Sequence, residues 1–442
     1  MAEKKNLRKL ALTLLTEYES LGKYVNLSLN SHKADGLDAD ERARLCALLY
    51  TTVEHKLTYD YYIASLSGRS IDKIDTVTKN ILRLGFCQLL DMSGIPTHAA
   101  VNESVKLARS PGERAFVNGI LRRADRERDH LPLPDEKKNE ARYLSVKYSF
   151  PLWIVKSFIS NYGRSGAEEL LSRISEIAPT DLTVNTNKIS TADFHKKLND
   201  AGYAASISPL SPNSVRIYGS AVPKDIPGYS EGEFFVQDAA CAAAIYAFDV
   251  KRTDAVIDVC SAPGGKSFAA AIMADKEGRV TSFDIHESKI SLITDGAARL
   301  GLSNLSASVR DAREPDESLF SSLDKVICDV PCSGLGVLAK KPDLRYRSEE
   351  GLEELPELQY EILTKSARYL KPGGRLIYST CTLRDEENAN VVTRFLKENS
   401  GYHTVDFTVG EHKSDNGSFT FLPHVHNTDG FFMSIIERDT NE

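Results

Sequence analysis

From Asn6 to about Asp129, apolar residues recur at intervals of three and four, as in Leu7, Leu10, Ala11, Leu14 and Leu15, and again in Ile81, Leu82, Leu84, Leu89 and Leu90. That spacing stacks side chains on one helical face, so an all-α domain is predicted over residues 1–130. Pro96 and Thr97 supply a helix start, and Ser110, Pro111 and Gly112 a break before the next helix. The stretch DHLPLPDEKK, with Pro132 and Pro134 among charges, reads as a linker. Residues 140–235 mix a helical pattern (Trp153 to Ile174) with the short apolar runs LTVNTN and SVRIYG, which predicts a small α+β module. After Gln237 the pattern changes again. The runs AVIDVC, VTSFDI, LSASVR, KVICDV and RLIYST alternate with helical stretches, the signature of a Rossmann-like α/β domain over 236–442 whose parallel sheet is covered on both faces. The chain is therefore expected to be multidomain.

Charge alters this picture by its distribution more than by its sum. The net charge is −7, yet residues 1–130 carry 20 Lys and Arg against 17 Asp and Glu, leaving 35 against 45 for the remainder. The helical third is thus the more plausible docking surface for a polyanion. No apolar run is long enough to span a bilayer, and MAEKKNLRKL lacks the apolar core of a secretory leader, so no membrane association and a cytoplasmic location are expected. Seven cysteines are scattered without CxxC or Cys/His spacing, which predicts neither disulfides nor a metal site. A monomer is expected.

Candidate chemistry gathers at the ends of the predicted strands. AVIDVCSAPGGKS places Asp258, Ser261, Ala262, Pro263, Gly264 and Gly265 on the turn from a strand into a helix, where small residues let a ligand approach the backbone. The turn is not the GxGxxG dinucleotide fingerprint. Nor is it a phosphate loop, because the glycine required five residues before Gly265 is Cys260. Asp284 ends the next strand and could accept hydrogen bonds from a ribose diol; Asp311, after the third, could accept from the exocyclic amine of adenine. Any one of these acids is equally at home as a solvated strand end or a helix cap.

KVICDVPCSGLG ends the fourth strand with Asp329, Pro331 and Cys332, and RLIYSTCTL ends the fifth with Cys381. Neighbouring strand ends would bring two thiols and a carboxylate over one crevice, whereas Cys46, Cys87, Cys241 and Cys328 read as small hydrophobes. Such a set suits methylation at carbon 5 of cytosine. That carbon is a poor nucleophile until a thiolate adds to carbon 6, and the negative charge then placed on the ring is relieved by an acid at N3, for which Asp329 is the nearest candidate. RDEENANVVTRFL predicts a helix whose N-terminus could favour a thiolate at Cys381, and Lys266 is a further positive charge. Spacing alone does not choose which thiol attacks.

SAPGGK, DVPCSGLG, STCT followed by EEN, and the terminal TDGFFMSIIER together resemble the motifs of the RNA cytosine-5 methyltransferases, in particular the bacterial RsmB (Sun/Fmu) type that acts on small-subunit ribosomal RNA. HAAVNESVKLAR and FVNGILRR resemble the NusB-like domain of that subgroup, so the likeness covers nearly the whole chain. The resemblance implies that Cys381 is the nucleophile and Cys332 assists elimination. It implies S-adenosyl-L-methionine as cofactor, with contacts from Cys260, Ser261, Ala262, Pro263, Gly264, Gly265 and Lys266, then Asp284, Asp311 and Asp329. Small-subunit ribosomal RNA is the implied partner, with transfer RNA or large-subunit RNA the alternative substrate and a non-catalytic NusB-like RNA-binding factor the alternative to an enzyme. Two positions depart from the pattern: Thr183 stands where arginine is frequent, and Val330 replaces the usual alanine of the Pro-Cys motif. Tyr218, Phe234, Phe235 and Tyr346 are candidate stacking platforms for bases, and the stretch KKPDLRYR, Lys340 to Arg347, is a candidate for backbone contact.

Overall fold

Leu14, Leu45, Leu49, Ile63, Ile81, Leu84, Phe86 and Leu121 are fully or almost fully buried in a single apolar cluster, and that cluster is why the N-terminal pattern folds as it does. The computed structural model describes residues 6–21, 36–219 and 221–440; the basic start MAEKK lies outside the described residues. The chain folds as two compact units, Met1–Ser175 with Lys341–Arg347, and Glu176–Lys340 with Ser348–Glu442.

The first unit is helical: α1 (Leu7–Leu21), α2 (Ala39–Glu54), α3 (Lys56–Ser67), α4 (Thr76–Leu90), α5 (Thr97–Leu107), α6 (Pro111–Arg126), α7 (Glu140–Tyr148) and α8 (Leu152–Ile174). Side-chain caps set several starts. Asp38 and Glu41 form a reciprocal capping box on α2, Asp75 accepts from the amide of Thr78 at α4, and Ser110 accepts from Glu113 ahead of α6, with Pro111 in the first turn. The predicted breaks at Pro96 and at Ser110–Gly112 therefore fall where expected. α4 is buried on nearly every side, consistent with its all-round apolar sequence. Its one buried cation, Arg83, is paired with Glu19 at 2.5 Å and Asp60 at 2.7 Å, which leaves no uncompensated charge in the core.

The sequence pattern groups residues 140–174 with a small α+β module, but in the structure their helices belong to the first unit. The amide of Leu57 donates to Ser149 Oγ at 3.0 Å and Thr58 Oγ1 donates to the carbonyl of Val146, tying α3 to the end of α7. Arg345 and Tyr346 also belong here. Arg345 is fully buried over the Phe150 ring and donates to Glu54 Oε1 at 3.0 Å; Tyr346 donates to the carbonyl of Glu54 at 3.1 Å.

Besides a two-stranded ribbon, Thr408–Val409 with His412–Lys413, the second unit holds two principal sheets. The smaller is antiparallel, in the order β2-β3-β1-β4, from β1 (Thr180–Val184), β2 (Ala205–Ile207), β3 (Ser214–Ile217) and β4 (Phe234–Val236), with α9 (Thr191–Asp200) packed against it. The larger sheet has eight strands. β5 (Ala255–Asp258), β6 (Arg279–Asp284), β7 (Leu305–Val309), β8 (Leu323–Asp329) and β9 (Leu370–Thr380) run parallel, in the spatial order β9-β8-β5-β6-β7. Beyond β9 the sheet turns antiparallel: β12 (Phe431–Arg438) pairs with β9, and β10 (Tyr402–Thr404) and β11 (Ser418–Phe421) share its far edge. The five strands read from sequence are parallel as expected, and β10, β11 and β12 extend the sheet antiparallel, which makes it mixed.

Alternation along the strands explains the two covered faces. Val256, Ile327 and Ile377 pack into a cluster with α10 (Ala239–Phe248), α11 (Gly265–Ala274) and α12 (Glu287–Leu300). Their neighbours Ile257, Val326 and Leu376 pack on the opposite face with α13 (Leu355–Ala367) and α14 (Ala389–Glu398). This arrangement leaves the carboxyl ends of β5 to β9 together along one edge, which is where a doubly covered α/β sheet binds its ligands. Among the described residues, no helix is long and apolar enough to cross a membrane.

Candidate active site

Asp258, Asp284 and Asp329 end β5, β6 and β8, and Cys332 and Cys381 follow β8 and β9, so the parallel register assembles most of the candidates along adjacent strand ends. The loop after β5 is fixed by its neighbour. Ser261 donates from both its amide and its hydroxyl to the carbonyl of Phe283, each at 2.8 Å, and the amide of Ala262 donates to Asp284 Oδ2 at 3.1 Å. The Ala262–Pro263 peptide is cis, and Gly264, at φ 111°, turns the chain into α11. A side chain there would be strained by that φ and would strike the Phe268 ring at 2.5 Å.

Asp258 is 1% exposed. Its Oδ2 accepts from Ser267 Oγ at 2.6 Å, and its Oδ1 has no partner. Burial pushes its pKa up to about 7; the Ser267 hydrogen bond opposes that rise, and the nearby Asp329 charge adds to it. An open, buried acceptor beside a glycine turn fits a ligand that brings a donor or a cation, as a cofactor with an ammonium group would. The raised pKa also has a consequence for stability. Below about pH 4 both folded and unfolded states hold the proton; between about pH 4 and 7 only the folded state does, so this group's contribution falls as pH rises and the loss is complete above about 7. Asp258→Asn is expected to remove that fall. In urea unfolding from about pH 4 to 8, the variant should gain on the wild type as pH rises; a constant difference would refute the shift.

Asp284 and Asp311 differ. The first is 7% exposed and holds two backbone amides, those of Ala262 and His286. The second lies just past β7, and its carboxylate is taken up by Arg313, whose Nη2 stands 2.6 Å from Oδ2 and whose amide donates to Oδ1. The structure thus joins Asp284 directly to the glycine turn, while the bonds of Asp311 are local.

At the chemical centre, Cys332 Sγ and Cys381 Sγ are 3.2 Å apart. Asp329 Oδ2 accepts from Lys266 Nζ at 2.7 Å, and Oδ1 from Ser379 Oγ at 2.8 Å. Burial works against the charge on Lys266, but the Asp329 carboxylate more than offsets it, so the ammonium is held well above the usual lysine range. The same Nζ lies 5.0 Å from the Phe431 ring centroid and 3.7 Å from Cys241 Sγ. Cys241, which reads from sequence as packing only, therefore borders the site; burial pushes its thiol up to about 12, against the pull of Lys266. The Cys332 thiol is raised well above its ordinary value, first by its hydrogen bond to Cys381, then by burial and by the negative charges of Cys381, Glu387 and Asp329.

The N-cap of the helix expected after Cys381, Asn388, is hydrogen-bonded to Thr380 and Thr382 on either side of that cysteine. The helix α14 starts only at Ala389, and a fully buried carboxylate, Glu387, precedes it. Glu387 Oε2 accepts from the amide of Ser333 at 2.8 Å and from Gln359 Nε2 at 2.9 Å, while Ser333 Oγ and Thr382 Oγ1 are 2.7 Å apart. The residues immediately after the two cysteines are thus hydrogen-bonded to each other. The EEN run signals a helix cap in sequence; its glutamate instead braces the Pro-Cys loop.

Other candidates fall away from solvent. Phe234 and Phe235 are buried core residues, and the hydroxyl of Tyr346 is bonded inside the first unit, whereas Tyr218 is 54% exposed. In the basic stretch, Arg345 is buried and Lys340 is paired with Asp238 and Asp429, so neither is a free cation. Thr183, at the position where arginine is frequent, is buried and donates to Gln237 Oε1. Val330 is a 4%-exposed packing residue. Among the described residues no His/Cys/Asp/Glu group is arranged to hold a metal ion.

Comparison with known proteins agrees with this geometry. The family described as 16S rRNA methyltransferase RsmB/F matches residues 245–437, the NusB family matches 5–126, and an RsmF/B-like ferredoxin-like domain matches 150–222. The chain is 33% identical to a probable ribosomal RNA small subunit methyltransferase B of Bacillus subtilis over 99% of both chains. It is 29% identical to the ribosomal RNA small subunit methyltransferase B of Klebsiella pneumoniae, also over 99% of both. A methyltransferase homologue from Pyrococcus horikoshii superposes on 68% of this chain and 99% of its own, with a TM-score of 0.60 at 25% identity. With a NusB-type helical domain, a ferredoxin-like module, a mixed-sheet methyltransferase domain and 33% identity to the Bacillus subtilis relative over 99% of both chains, the chain belongs to the RsmB family of ribosomal RNA small subunit methyltransferases.

Proposed function

We propose that the protein transfers a methyl group from S-adenosyl-L-methionine to carbon 5 of a cytosine in small-subunit ribosomal RNA through a covalent bond between Cys381 and carbon 6. The observation that carries this reading is the pair of thiols 3.2 Å apart over the strand end that bears Asp329. The cofactor, when bound, supplies an electrophilic methyl group. The loop from Cys260 to Lys266 with Asp284, Asp311 and Asp329 holds it, and the free oxygen of Asp258 is available to its ammonium group.

A Cys332 thiol that keeps its proton can donate to Cys381 across the gap between them and so favour a Cys381 thiolate. The thiolate adds to carbon 6, and the displaced electron pair delocalises toward N3 and carbon 5. A hydrogen bond between Asp329 and a protonated N3 limits the charge that accumulates on the ring, and Lys266 orients the carboxyl. Carbon 5 then takes the methyl group. Cys332, having released its own proton to solvent as the one proton the net transfer liberates, takes the original carbon 5 hydrogen as a proton, and Cys381 departs with the bonding pair. Because both faces of carbons 5 and 6 must be reached, the target has to be an unstacked base in a loop or one drawn out of its helix.

The test is transfer of labelled methyl to unmethylated small-subunit ribosomal RNA, with nuclease digestion and identification of the modified nucleoside. Label in 5-methylcytidine is the expected result. Label in another nucleoside, or preferential labelling of transfer RNA or large-subunit RNA, would overturn the reaction or the substrate respectively.

A further inference from the structure

The TDGFF motif takes no part in the reaction as drawn, yet its first charged residue stands in a partly buried ionic cluster. Lys340 Nζ lies 2.6 Å from Asp238 Oδ2 and 2.9 Å from Asp429 Oδ2, and the amide of Asp429 donates to the Asp238 carboxylate at 3.2 Å. Asp238 in turn caps α10 by accepting from the amide of Ala240 at 2.9 Å. Three segments far apart in sequence are thereby joined: the start of α10, the end of the Cys332 loop, and the turn before β12.

A second set of contacts runs from the same turn to the thiols. The amide of Gly430 donates to the carbonyl of Gly336 at 2.8 Å, and the amide of Gly336 donates to the carbonyl of Cys381 at 2.9 Å. The two glycines touch: a Cβ at Gly336 would lie 1.8 Å from the carbonyl oxygen of Gly430. The Cys332 loop is thus pressed between Cys381 and Gly430 at its middle and held by Asp238 and Asp429 at its end.

We propose that Lys340, with Asp429 and Asp238, is a clasp that positions Cys332 and Cys381 against each other. Lys340 and Asp429 are positioning residues; they act through the loop. This inference rests on the reading that the two thiols carry the reaction. Without the cation, two largely buried carboxylates would face each other, and their repulsion would drive the loop end off the Asp429–Gly430 turn. Through Gly336 the displacement reaches the Cys381 carbonyl. The hydrogen bonds that fix the glycine turn after β5 run to Phe283 and Asp284 and not to the clasped segments, so cofactor affinity should survive while attack geometry does not.

The experiment compares full-length wild type with Lys340→Met, Asp429→Asn and Lys340→Arg. Alkylation of each cysteine by iodoacetamide is followed by mass spectrometry, with Cys46 of the helical unit as internal reference, and turnover is measured on ribosomal RNA. In Lys340→Met and Asp429→Asn, alkylation at Cys332 and Cys381 should change by about tenfold or more relative to Cys46. Turnover should fall about 10- to 100-fold with the KM for cofactor within about threefold, the split expected when geometry alone is lost. Lys340→Arg, which keeps the charge, should restore both readouts to within about threefold. Unchanged alkylation at both thiols in both variants overturns the clasp, as does a loss of turnover matched by an equal loss of cofactor affinity. If the wild type labels no RNA, the functional reading fails on its own, and the alkylation comparison still decides the clasp.

Discussion

Cys381→Ala is expected to abolish both methyl transfer and the covalent protein–RNA adduct, whereas Cys332→Ala should form the adduct and fail to release it. The two thiols are chemically alike and 3.2 Å apart, and we assign attack to Cys381 and proton handling to Cys332. Cys332 sits in the loop whose next amide is held by the fully buried carboxylate of Glu387, and that negative charge adds to burial and the Cys381 contact in keeping its proton on. A thiol with a strongly raised pKa is a poor attacking group and a serviceable proton carrier. Without Cys381 nothing adds to carbon 6, and the residual rate should be lower by about 10⁴ or more, the scale on which loss of a covalent nucleophile is felt. Without Cys332 the methylated adduct lacks the base that takes its carbon 5 proton, so protein should shift to higher mass on a denaturing gel, carrying both RNA and labelled methyl. The opposite pattern, adduct in Cys381→Ala and none in Cys332→Ala, would reverse the two roles.

Much of this site is legible in the sequence because parallel strands leave a strong trace. AVIDVC, VTSFDI and KVICDV are buried on both faces, so each reads as an apolar run ending in an acid, and the fold rule for such sheets says where those ends lie. The helix breaks at Pro96 and Ser110 are legible for a similar reason, since capping is a local matter. What sequence cannot supply is the pairing of charges across the chain. Lys340 and Arg345 look like a polyanion contact until Asp238, Asp429 and Glu54 are seen beside them, and the Arg345–Glu54 pair spans 291 residues. Cys241 escapes a sequence reading as well, because its place next to Lys266 depends on how α10 packs against α11 and not on its own neighbours. The start of α14 is misplaced for a different cause. RDEEN has the composition of a first turn, but Glu387 turns inward to the amide of Ser333, and Asn388, bonded to Thr380 and Thr382, stands where the helix begins.

Asp329→Asn should produce a second large effect, and it separates two jobs that one carboxylate does. Asn keeps the volume and can still accept from Ser379 or Lys266, but it is neither an acid nor an anion. Lys266, whose side chain is 11% exposed, would then face the site as a cation without its partner. Breaking a buried pair from one side costs about 3–5 kcal/mol, and because the Asp329 side chain retains 29% exposure the loss should sit at or below the lower end of that range. Turnover should fall by about 10²–10⁴, the usual worth of a positioned acid or base. The double variant Asp329→Asn/Lys266→Met distinguishes the two. It removes the stranded charge, so the unfolding midpoint should return most of the way to that of the wild type, while turnover should stay as low as in Asp329→Asn. Recovery of turnover along with stability would mean that Asp329 serves only to balance Lys266, and the handling of the N3 proton would have to be assigned elsewhere.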